Sequence, residues 1–177
     1  GTSSDCAICI YGDVNLTTDV EVEWGIPVQL PMVDVRTIGA GGGSIAWVDN
    51  GGMLQVGPRS AGSRPGPACY GRGGTEATVT DANVVLSRID HNNFLGGKIT
   101  LDLSAARTAM KAIGDQLGLS VEQTAKAIID IANNNVASEL RRMAVENGHD
   151  PRNFSLMGFG GAGPVHVADL MRLLNIK

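Results

Sequence analysis

The sequence predicts one α/β domain, and three stretches carry that prediction. The first 57 residues alternate short apolar runs with Gly, Pro and Asp turns, a pattern typical of antiparallel β structure. After Ser120 the apolar residues recur three and four apart, as the buried face of a helix requires. Near the end, the apolar run 154–159 passes through a glycine turn into another helix. With 177 residues the chain can bury one core without disulfides.

The strands are predicted from apolar runs bounded by turn residues. Residues 6–11 form the first run, which ends at the hairpin-type pair Gly12-Asp13. Residues 20–24 alternate apolar and charged side chains, as a half-buried strand does. Later predicted strands are residues 33–38, 45–48 and 53–56, the last two joined by a hairpin at Asn50-Gly51-Gly52. Residues 154–159 read as a strand covered on both faces.

Four helices are predicted from their starts and stops. The first begins at Thr80-Asp81-Ala82-Asn83, with Asp81 placed to accept backbone N–H bonds. The second begins at Asp102 or Ser104 and ends at Gly118. Ser120 and Gln123 match a capping box, so the third runs from there to about Asn147. The last spans residues 165–174, with Pro164 in its first turn.

Glycine is concentrated in a way that indicates function. Half of the 24 glycines lie between Gly39 and Gly74, and residues 39–44 interrupt strand-forming sequence. Glycine there requires a positive φ or a very close neighbour, so a tight hairpin or a bound phosphate would explain it. Comparable turns occur at residues 1–5 and 160–163. Three such turns suggest one shared anionic ligand, because backbone N–H groups bind anions; plain β-turns are the alternative.

Two further polar features remain open to two interpretations each. Residues 57–78 form a long Gly- and Pro-rich loop that is predicted to be ordered and to line a cleft or an interface. Its Arg59, Arg64 and Arg72 could bind a carboxylate or phosphate, or contact a partner subunit. Residues 133–135 are three asparagines inside the third helix, which are either solvated or in contact with a cleft or ligand.

Composition excludes several classes of function. The net charge of −4 and the absence of a basic run argue against nucleic-acid binding. No apolar stretch is long enough for a membrane span and no signal peptide is visible, so no membrane partner is expected and the cytoplasm is the expected location. The three cysteines are expected to be reduced, and the CxxC pair Cys6 and Cys9 would point to opposite faces of a strand.

Four segments together resemble the hydantoinase A/oxoprolinase family. They are GAGGGS at residues 39–44, VGPRSAGSRPGPACYGRGG at 56–74, VTDAN at 79–83 and FGGAGPVH at 159–166. The opening Gly-Thr-Ser-Ser-Asp is similar to a GGTSTD segment of that family, and Gly148-His149-Asp150-Pro151-Arg152 extends the resemblance. The resemblance covers nearly the whole chain.

The resemblance implies a ribonuclease H-like lobe of the actin-like ATPase fold shared with sugar kinases and heat-shock proteins, with a mixed sheet and flanking helices. Two such lobes hold ATP and Mg²⁺ in a cleft, so residues 1–177 would be one lobe of a longer polypeptide whose N-terminal lobe is missing here. Residues 1–5 would wrap the phosphates and residues 160–163 would lie beside the adenosine. The implied nucleotide-binding residues are Gly1, Thr2, Ser3, Asp5, Gly41, Gly42, Gly43, Gly160, Gly161, Ala162 and Gly163.

The resemblance also implies a reaction, the ATP-dependent opening of a cyclic amide such as a lactam or hydantoin. Asp81 and His166 are the candidate catalytic residues, each with a structural alternative: a helix cap for Asp81, and packing or hydrogen bonding for His166. The metal ligands are not predicted. A subunit of an ATP-dependent acetone- or aryl-ketone carboxylase is the nearest alternative. An assembly module that docks a hydantoinase B-type partner is an alternative of another class.

Overall fold

The computed structural model describes residues 1–18, 20–23, 26–28 and 30–177, with strands before residue 61 and helices after it. The strands are β1 Ser4–Cys6, β2 Cys9–Ile10, β3 Asp13–Val14, β4 Leu16–Thr17, β5 Val20–Glu23, β6 Ile26–Val28, β7 Met32–Val33, β8 Arg36–Ile38, β9 Ser44–Val48 and β10 Leu54–Ser60. The helices are α1 Val79–Val85, α2 Leu103–Leu117, α3 Val121–Glu146 and α4 Gly163–Leu174, with 3-10 turns at Ala68–Tyr70 and Pro151–Asn153. The predicted mixture of strands and helices is confirmed.

The strands form antiparallel pairs, as predicted for the first 57 residues. In the described part of the chain the pairs are β1 with β8, β2 with β3, β4 with β7, β5 with β6 and β9 with β10. The hairpin between β2 and β3 turns at Tyr11 and Gly12. Both residues have positive φ, as a two-residue type I′ turn requires. Trp24, the last residue of the predicted strand 20–24, lies outside the described residues.

Two predicted strands are each divided in the structure. Residues 6–11 contribute to β1 and β2, and residues 33–38 contribute to β7 and β8, which belong to different sheets. Each described sheet has two strands, so the chain leaves one partner and joins another within a single apolar run. An apolar run indicates that its residues are buried, but it does not indicate which strand they pair with or where the pairing partner changes.

The register of β1 against β8 determines where the chain begins in space. Ser4 pairs with Ile38 and Cys6 with Arg36. Because the strands are antiparallel, the residues before Ser4 lie beside the residues after Ile38. The hydroxyl of Ser4 also donates to the carbonyl of Ala40 over 2.6 Å. Residues 1–3 therefore lie against the glycine-rich segment that starts at Gly39.

Strand β10 is longer than the sequence predicted. The Asp49 carboxylate accepts the N–H groups of Gly51 and Met53, each over 2.9 Å, and closes the predicted hairpin from β9. The strand then continues to Ser60, with a register shift after Val56 and a positive φ at Gly57. Residues 57–60, assigned to the long loop from sequence, are therefore strand, because an irregularity in the ladder lets it accommodate Pro58.

The main core lies where helices α1, α2 and α3 pack together and against β9 and β10. Its largest fully buried side chains include Leu101, Met110, Ile128, Ile129, Val79 and Val84. The helix boundaries follow the capping signals in the sequence: Asp102 caps α2, Gly118 ends it in the left-handed conformation, and Ser120 with Gln123 forms the capping box of α3. Helix α4 packs separately on α3 through Leu170 and Leu174.

The predicted strand 154–159 is wrong. Its residues have no strand assignment, and Met157 and Phe159 are 84% and 80% exposed. Among the described residues no strand lies alongside this run, so its backbone has no ladder to join. For the same reason the mixed sheet is absent from the described strand pairs, which are all antiparallel. None of the described helices is long and apolar enough to cross a membrane.

Candidate functional site

The turn at residues 41–43, called here the central turn, lies directly against residues 1–3. The N–H of Gly43 donates to the carbonyl of Gly1 over 3.0 Å. A Cβ atom on Gly41 would lie 2.7 Å from both the Gly1 oxygen and the Ser3 nitrogen. The flanking strands β8 and β9 belong to different sheets, so this turn is not a hairpin. Glycine is required here by the close approach of a second backbone segment. The hairpin explanation is therefore wrong, and the bound phosphate stays a prediction.

The last turn, residues 160–163, reaches the same place. A Cβ atom on Gly42 would lie 3.6 Å from the Cβ of Ala162 and 2.8 Å from the hydroxyl of Thr80. Thr80 fixes the central turn, since its N–H and its hydroxyl both donate to the Gly42 carbonyl over 2.8 Å. The three glycine turns singled out in the sequence therefore meet around Gly42.

Two helices begin beside Gly42, and their first turns differ. Helix α1 is closed by a capping box in which Thr78 bonds the Asp81 N–H and Asp81 bonds the Thr78 N–H. Helix α4 begins after Ala162, which has no side-chain cap, and Gly160, Gly161 and Gly163 are exposed. The first N–H groups of a helix have no partner within it. In α4 Pro164 has no N–H and the Val165 N–H donates to the Ala162 carbonyl over 3.1 Å, which leaves the N–H of Gly163 for solvent or a ligand.

Asp81 is a fully buried carboxylate with its hydrogen bonds made inside the protein. Its oxygens accept the N–H of Ala68 at 3.2 Å, of Cys69 at 2.7 Å and of Thr78 at 3.0 Å, together with the Thr78 hydroxyl at 2.7 Å. It thus ties the 3-10 turn of the long loop to the start of α1. Burial raises the pKa of the neighbouring Cys69 thiol, and the Asp81 charge raises it further. These contacts favour the capping role, and the catalytic role of Asp81 stays a prediction.

His166 lies in the first turns of α4 and contacts two asparagines. Its Nδ1 is 2.7 Å from the Asn133 Oδ1, and its Nε2 is 3.4 Å from the Asn83 Nδ2. Both asparagines are 2% exposed. Burial lowers the pKa of the imidazole, the Arg88 guanidinium lowers it further, and the Asp169 carboxylate opposes both. At neutral pH the ring is therefore uncharged.

Several members of this region were not selected from the sequence. Thr80, Asn83 and Asn133 fix the central turn and His166, and the signals that could have found them were the TDAN segment and the asparagine run. Asn133 is buried, so of the two interpretations of that run, solvation does not hold for it. The contact partners lie 33 to 83 residues apart along the chain, beyond the reach of any local pattern.

The other residues predicted from the sequence make no side-chain contact with Gly42 or His166. The side chain of Asp5 accepts the Thr37 hydroxyl over 2.7 Å on the β1–β8 sheet, while Thr2 and Ser3 are exposed. Arg59 pairs with Glu76 over 3.0 Å, and Arg72 lies 5.8 Å from the Tyr70 ring centroid. Arg64 lines an open cavity of about 270 Å³ in the long loop.

The described residues offer no metal centre of their own. Among them no group of three or more His, Cys, Asp or Glu side chains lies close enough to hold an ion. What they do offer is a helix start without a side-chain cap at α4, a position that suits a phosphate or another oxyanion.

A comparison with family models gives the class of protein to which this α/β chain belongs. The hydantoinase/oxoprolinase family model matches residues 1–177, and the chain belongs to that family. The predicted family is confirmed.

Characterised relatives catalyse two kinds of reaction. The chain is 48% identical over 178 residues to the caprolactamase subunit alpha of Pseudomonas jessenii, covering 100% of this chain and 25% of that protein. It is 44% identical over 172 residues to the acetophenone carboxylase gamma subunit of Aromatoleum aromaticum, covering 96% of this chain and 24% of that subunit. The chain thus spans about a quarter of the length of these relatives.

Solved structures show the same fold. The ATP-dependent caprolactamase from Pseudomonas jessenii matches with a TM-score of 0.89 at 47% identity, over 100% of this chain and 26% of that chain. The nucleotide-free acetone carboxylase matches with a TM-score of 0.88 at 35% identity, over 99% of this chain and 25% of that chain. Both structures are described as ATP-dependent enzymes.

Proposed function

We propose that this chain is the nucleotide-binding lobe of an ATP-dependent cyclic-amide hydrolase of the hydantoinase/5-oxoprolinase type. The observation that carries the proposal is the meeting of three glycine turns around Gly42 at the uncapped start of α4. The similarity to an ATP-dependent caprolactamase supports both the nucleotide and the class of substrate. In this proposal the chain is one ribonuclease H-like lobe of an actin-like ATPase, and a second lobe of the same polypeptide closes the cleft.

The chain's own residues would bind the phosphates and hold them in place. The last turn lies at the N-terminus of α4, the positive end of the helix dipole, which favours an anion. The exposed hydroxyls of Thr2 and Ser3 would add further donors. The central turn packs so closely on its neighbours that a Cβ on any of its three glycines would lie within 2.8 Å of another protein atom. Mg²⁺ would arrive with the nucleotide, and its protein ligands would come largely from the rest of the polypeptide.

The chemistry follows from activating a poor electrophile. The amide oxygen of the ring attacks the terminal phosphorus, the bond from that phosphorus to ADP breaks, and the ring carbon becomes easier for water to attack. Water then adds to that carbon and the ring C–N bond breaks as the nitrogen takes a proton, which leaves an acyl phosphate. A second water hydrolyses the acyl phosphate to a carboxylate and phosphate. The protein's part in such a transfer is positioning and charge stabilisation. Asp81 and His166 stay candidates for handling the substrate.

A subunit of an ATP-dependent ketone carboxylase is a second candidate. The 44% identity to an acetophenone carboxylase subunit and the TM-score of 0.88 to acetone carboxylase favour it. Phosphorylation of an enolate oxygen would need the same phosphate site, so the residues described here serve either reaction. Both relatives in the sequence comparison are named as subunits, which supports a partner chain, and we propose a hydantoinase B-type one.

The test is ATP hydrolysis by the complete polypeptide with its partner subunit. We expect phosphate release to be stimulated by a cyclic amide, with 5-oxoproline, caprolactam and a hydantoin tried separately. Stimulation by a ketone with bicarbonate, and by no cyclic amide, would replace the hydrolase with the carboxylase. Strong partner binding with no nucleotide binding would instead support an assembly module. The 177-residue chain alone is expected to be inactive, because ATP needs ligands from both lobes.

A further inference from the structure

We infer that His166 is a positioning residue, a neutral imidazole with its proton on Nδ1 that locks the start of α4, and with it the last glycine turn, against Gly42. The expected effect of His166 on nucleotide binding rests on the proposed function. The tautomer of His166 and its role in holding the start of α4 are independent of that function and can be tested without nucleotide.

The proton positions follow from the neighbours of the ring. The Asn133 amide nitrogen donates to the Asp169 Oδ2 over 3.2 Å, so the amide oxygen is the atom that faces the His166 Nδ1 at 2.7 Å. Since that oxygen can only accept, Nδ1 must carry the hydrogen. The Asn83 amide nitrogen donates to the Val79 carbonyl over 3.0 Å, which fixes the orientation of that side chain too. Nε2 of a neutral ring then carries the lone pair that faces the Asn83 N–H.

The charges around the ring act in opposite directions, and the balance favours the neutral form. Arg88, three residues after the end of α1, disfavours a proton on the ring, and Asp169 on α4 itself favours one. These two groups form an ion pair of 2.5 Å with each other, which limits the net effect of either. Lys126 on α3 acts on the Asp169 carboxylate, and Asn133 is uncharged. Desolvation of the ring is therefore the deciding contribution.

The geometry connects the ring to the glycine turns. Ala162 lies one helical turn before His166 on α4, and Thr80 lies about one turn before Asn83 on α1. Ala162 and Thr80 are the two residues that meet Gly42. The contact between His166 and Asn83 therefore holds the two helix starts at the separation that leaves room for the central turn.

A cost accompanies this arrangement. The Asn83 Oδ1 is buried and has no hydrogen-bond partner among the described residues. A buried acceptor without a partner is destabilising, and buried polar atoms are almost always satisfied. An apolar residue at this position would avoid that cost and would also remove the donor that faces Nε2. The retained amide is consistent with a requirement to hold the ring.

The first test reads the tautomer in the complete protein labelled with ¹⁵N-histidine. The signal that disappears in His166→Phe belongs to His166, and we expect it to show a protonated Nδ1 and an unprotonated Nε2 at neutral pH. It should keep that pattern on acidification past the pKa of an ordinary histidine. A proton on Nε2, or an ordinary titration, would overturn the inference.

The second test compares variants. His166→Phe keeps the ring shape and loses both nitrogens, whereas His166→Asn keeps a donor near the position of Nδ1. We expect amide hydrogen exchange in residues 160–166 to accelerate in His166→Phe and to return towards the wild-type rate in His166→Asn. The distal half of α4, around Leu170 and Leu174, is the internal reference. His149→Phe is the matched control, since His149 stacks edge-on against Phe154 outside this cluster. Unchanged exchange in His166→Phe would overturn the inference.

The third test separates positioning from catalysis. With two hydrogen bonds lost, the nucleotide Kd of His166→Phe should rise about tenfold, while turnover at saturating nucleotide changes less. A lost turnover with an unchanged Kd would make His166 catalytic and overturn the inference. If the wild-type protein binds no nucleotide at all, the proposed function fails, and the tautomer and exchange measurements still decide the structural role of His166.

Discussion

Helices α1 and α4 begin side by side at Gly42, and their first turns are completed in opposite ways. The start of α1 is satisfied within the protein, by the Thr78 hydroxyl and by a buried Asp81 that also accepts two N–H groups of the long loop. The start of α4 follows an alanine, has no side-chain cap and is exposed. A helix start that is already satisfied holds structure together, whereas an open one keeps its donors for a ligand. The comparison indicates a structural role for the start of α1, and it is the reason why our proposal places the ligand at the start of α4.

Removing the Asp81 carboxylate is expected to have the largest effect. Asp81→Ala would leave three buried N–H groups without an acceptor, so we expect a loss of about 4 kcal/mol in the free energy of unfolding. Chemical denaturation measures this. Asp102→Ala, which removes the cap of α2, is the matched control and should cost about 1 kcal/mol. Equal losses for the two variants would contradict the architectural role, and intact turnover in Asp81→Ala would remove Asp81 from the catalytic candidates.

A side chain at Gly42 should weaken nucleotide binding. In Gly42→Ala the new Cβ would lie 2.8 Å from the Thr80 hydroxyl, so the hydroxyl must move and its bond to the Gly42 carbonyl is strained. We expect a total loss of about 2 kcal/mol, part of it in the free energy of unfolding and part in the free energy of nucleotide binding. Isothermal titration with a non-hydrolysable ATP analogue measures the second part. Gly39→Ala, where a Cβ would approach no atom closer than 3.5 Å, is the matched control and should bind as the wild type does.

Capping α4 would remove the contrast between the two helix starts. Ala162→Asp supplies the missing acceptor and a favourable charge, so the free energy of unfolding should rise by about 1 kcal/mol. The same carboxylate would repel phosphate, so nucleotide affinity should fall although stability increases. Ser120→Ala, which removes half of the α3 capping box, should show the reverse: lower stability with unchanged affinity. Tighter nucleotide binding in Ala162→Asp would exclude the last turn as a phosphate site.

The smallest expected effect is a pH dependence from His166. Its pKa in the folded protein is lowered, mainly by burial, so at acidic pH the unfolded chain binds a proton that the folded protein does not. The contribution of the neutral imidazole to the free energy of unfolding is fully present above the ordinary histidine pKa. It is lost as the pH falls from there towards the lower pKa of His166 in the folded protein. Denaturation at a series of pH values measures it as the difference between the wild type and His166→Gln. If the stability advantage of the wild type over His166→Gln became larger as the pH fell, the lowered pKa of His166 would be contradicted.

The parts of the fold that follow from the sequence are those set by neighbours along the chain. The hairpin at Gly12, the capping box at Ser120 and the helix stop at Gly118 each depend on a few consecutive residues. The strand prediction for residues 154–159 failed because an apolar run shows that burial is favourable and says nothing about a pairing partner.

The candidate site divides in the same way. Glycine content identified the three turns, because glycine at close backbone contacts has a local signature. The contacts of His166 with Asn83 and Asn133 join α4 to α1 and α3, and no local pattern predicts such a pair. Similarly, Asp81 was expected to accept backbone N–H groups, but its link to Ala68 and Cys69 depends on how the long loop folds back.

The peptide groups around Gly43 are held from two directions. The Gly43 N–H donates to the Gly1 carbonyl, and the Gly43 carbonyl accepts the N–H of Ala61 from the long loop. Rotation of this backbone would break one bond or the other, so Gly43 couples residues 1–3 to the start of the long loop. In the proposed function, a shift of residues 1–3 on phosphate binding would therefore be transmitted through Gly43 to the long loop.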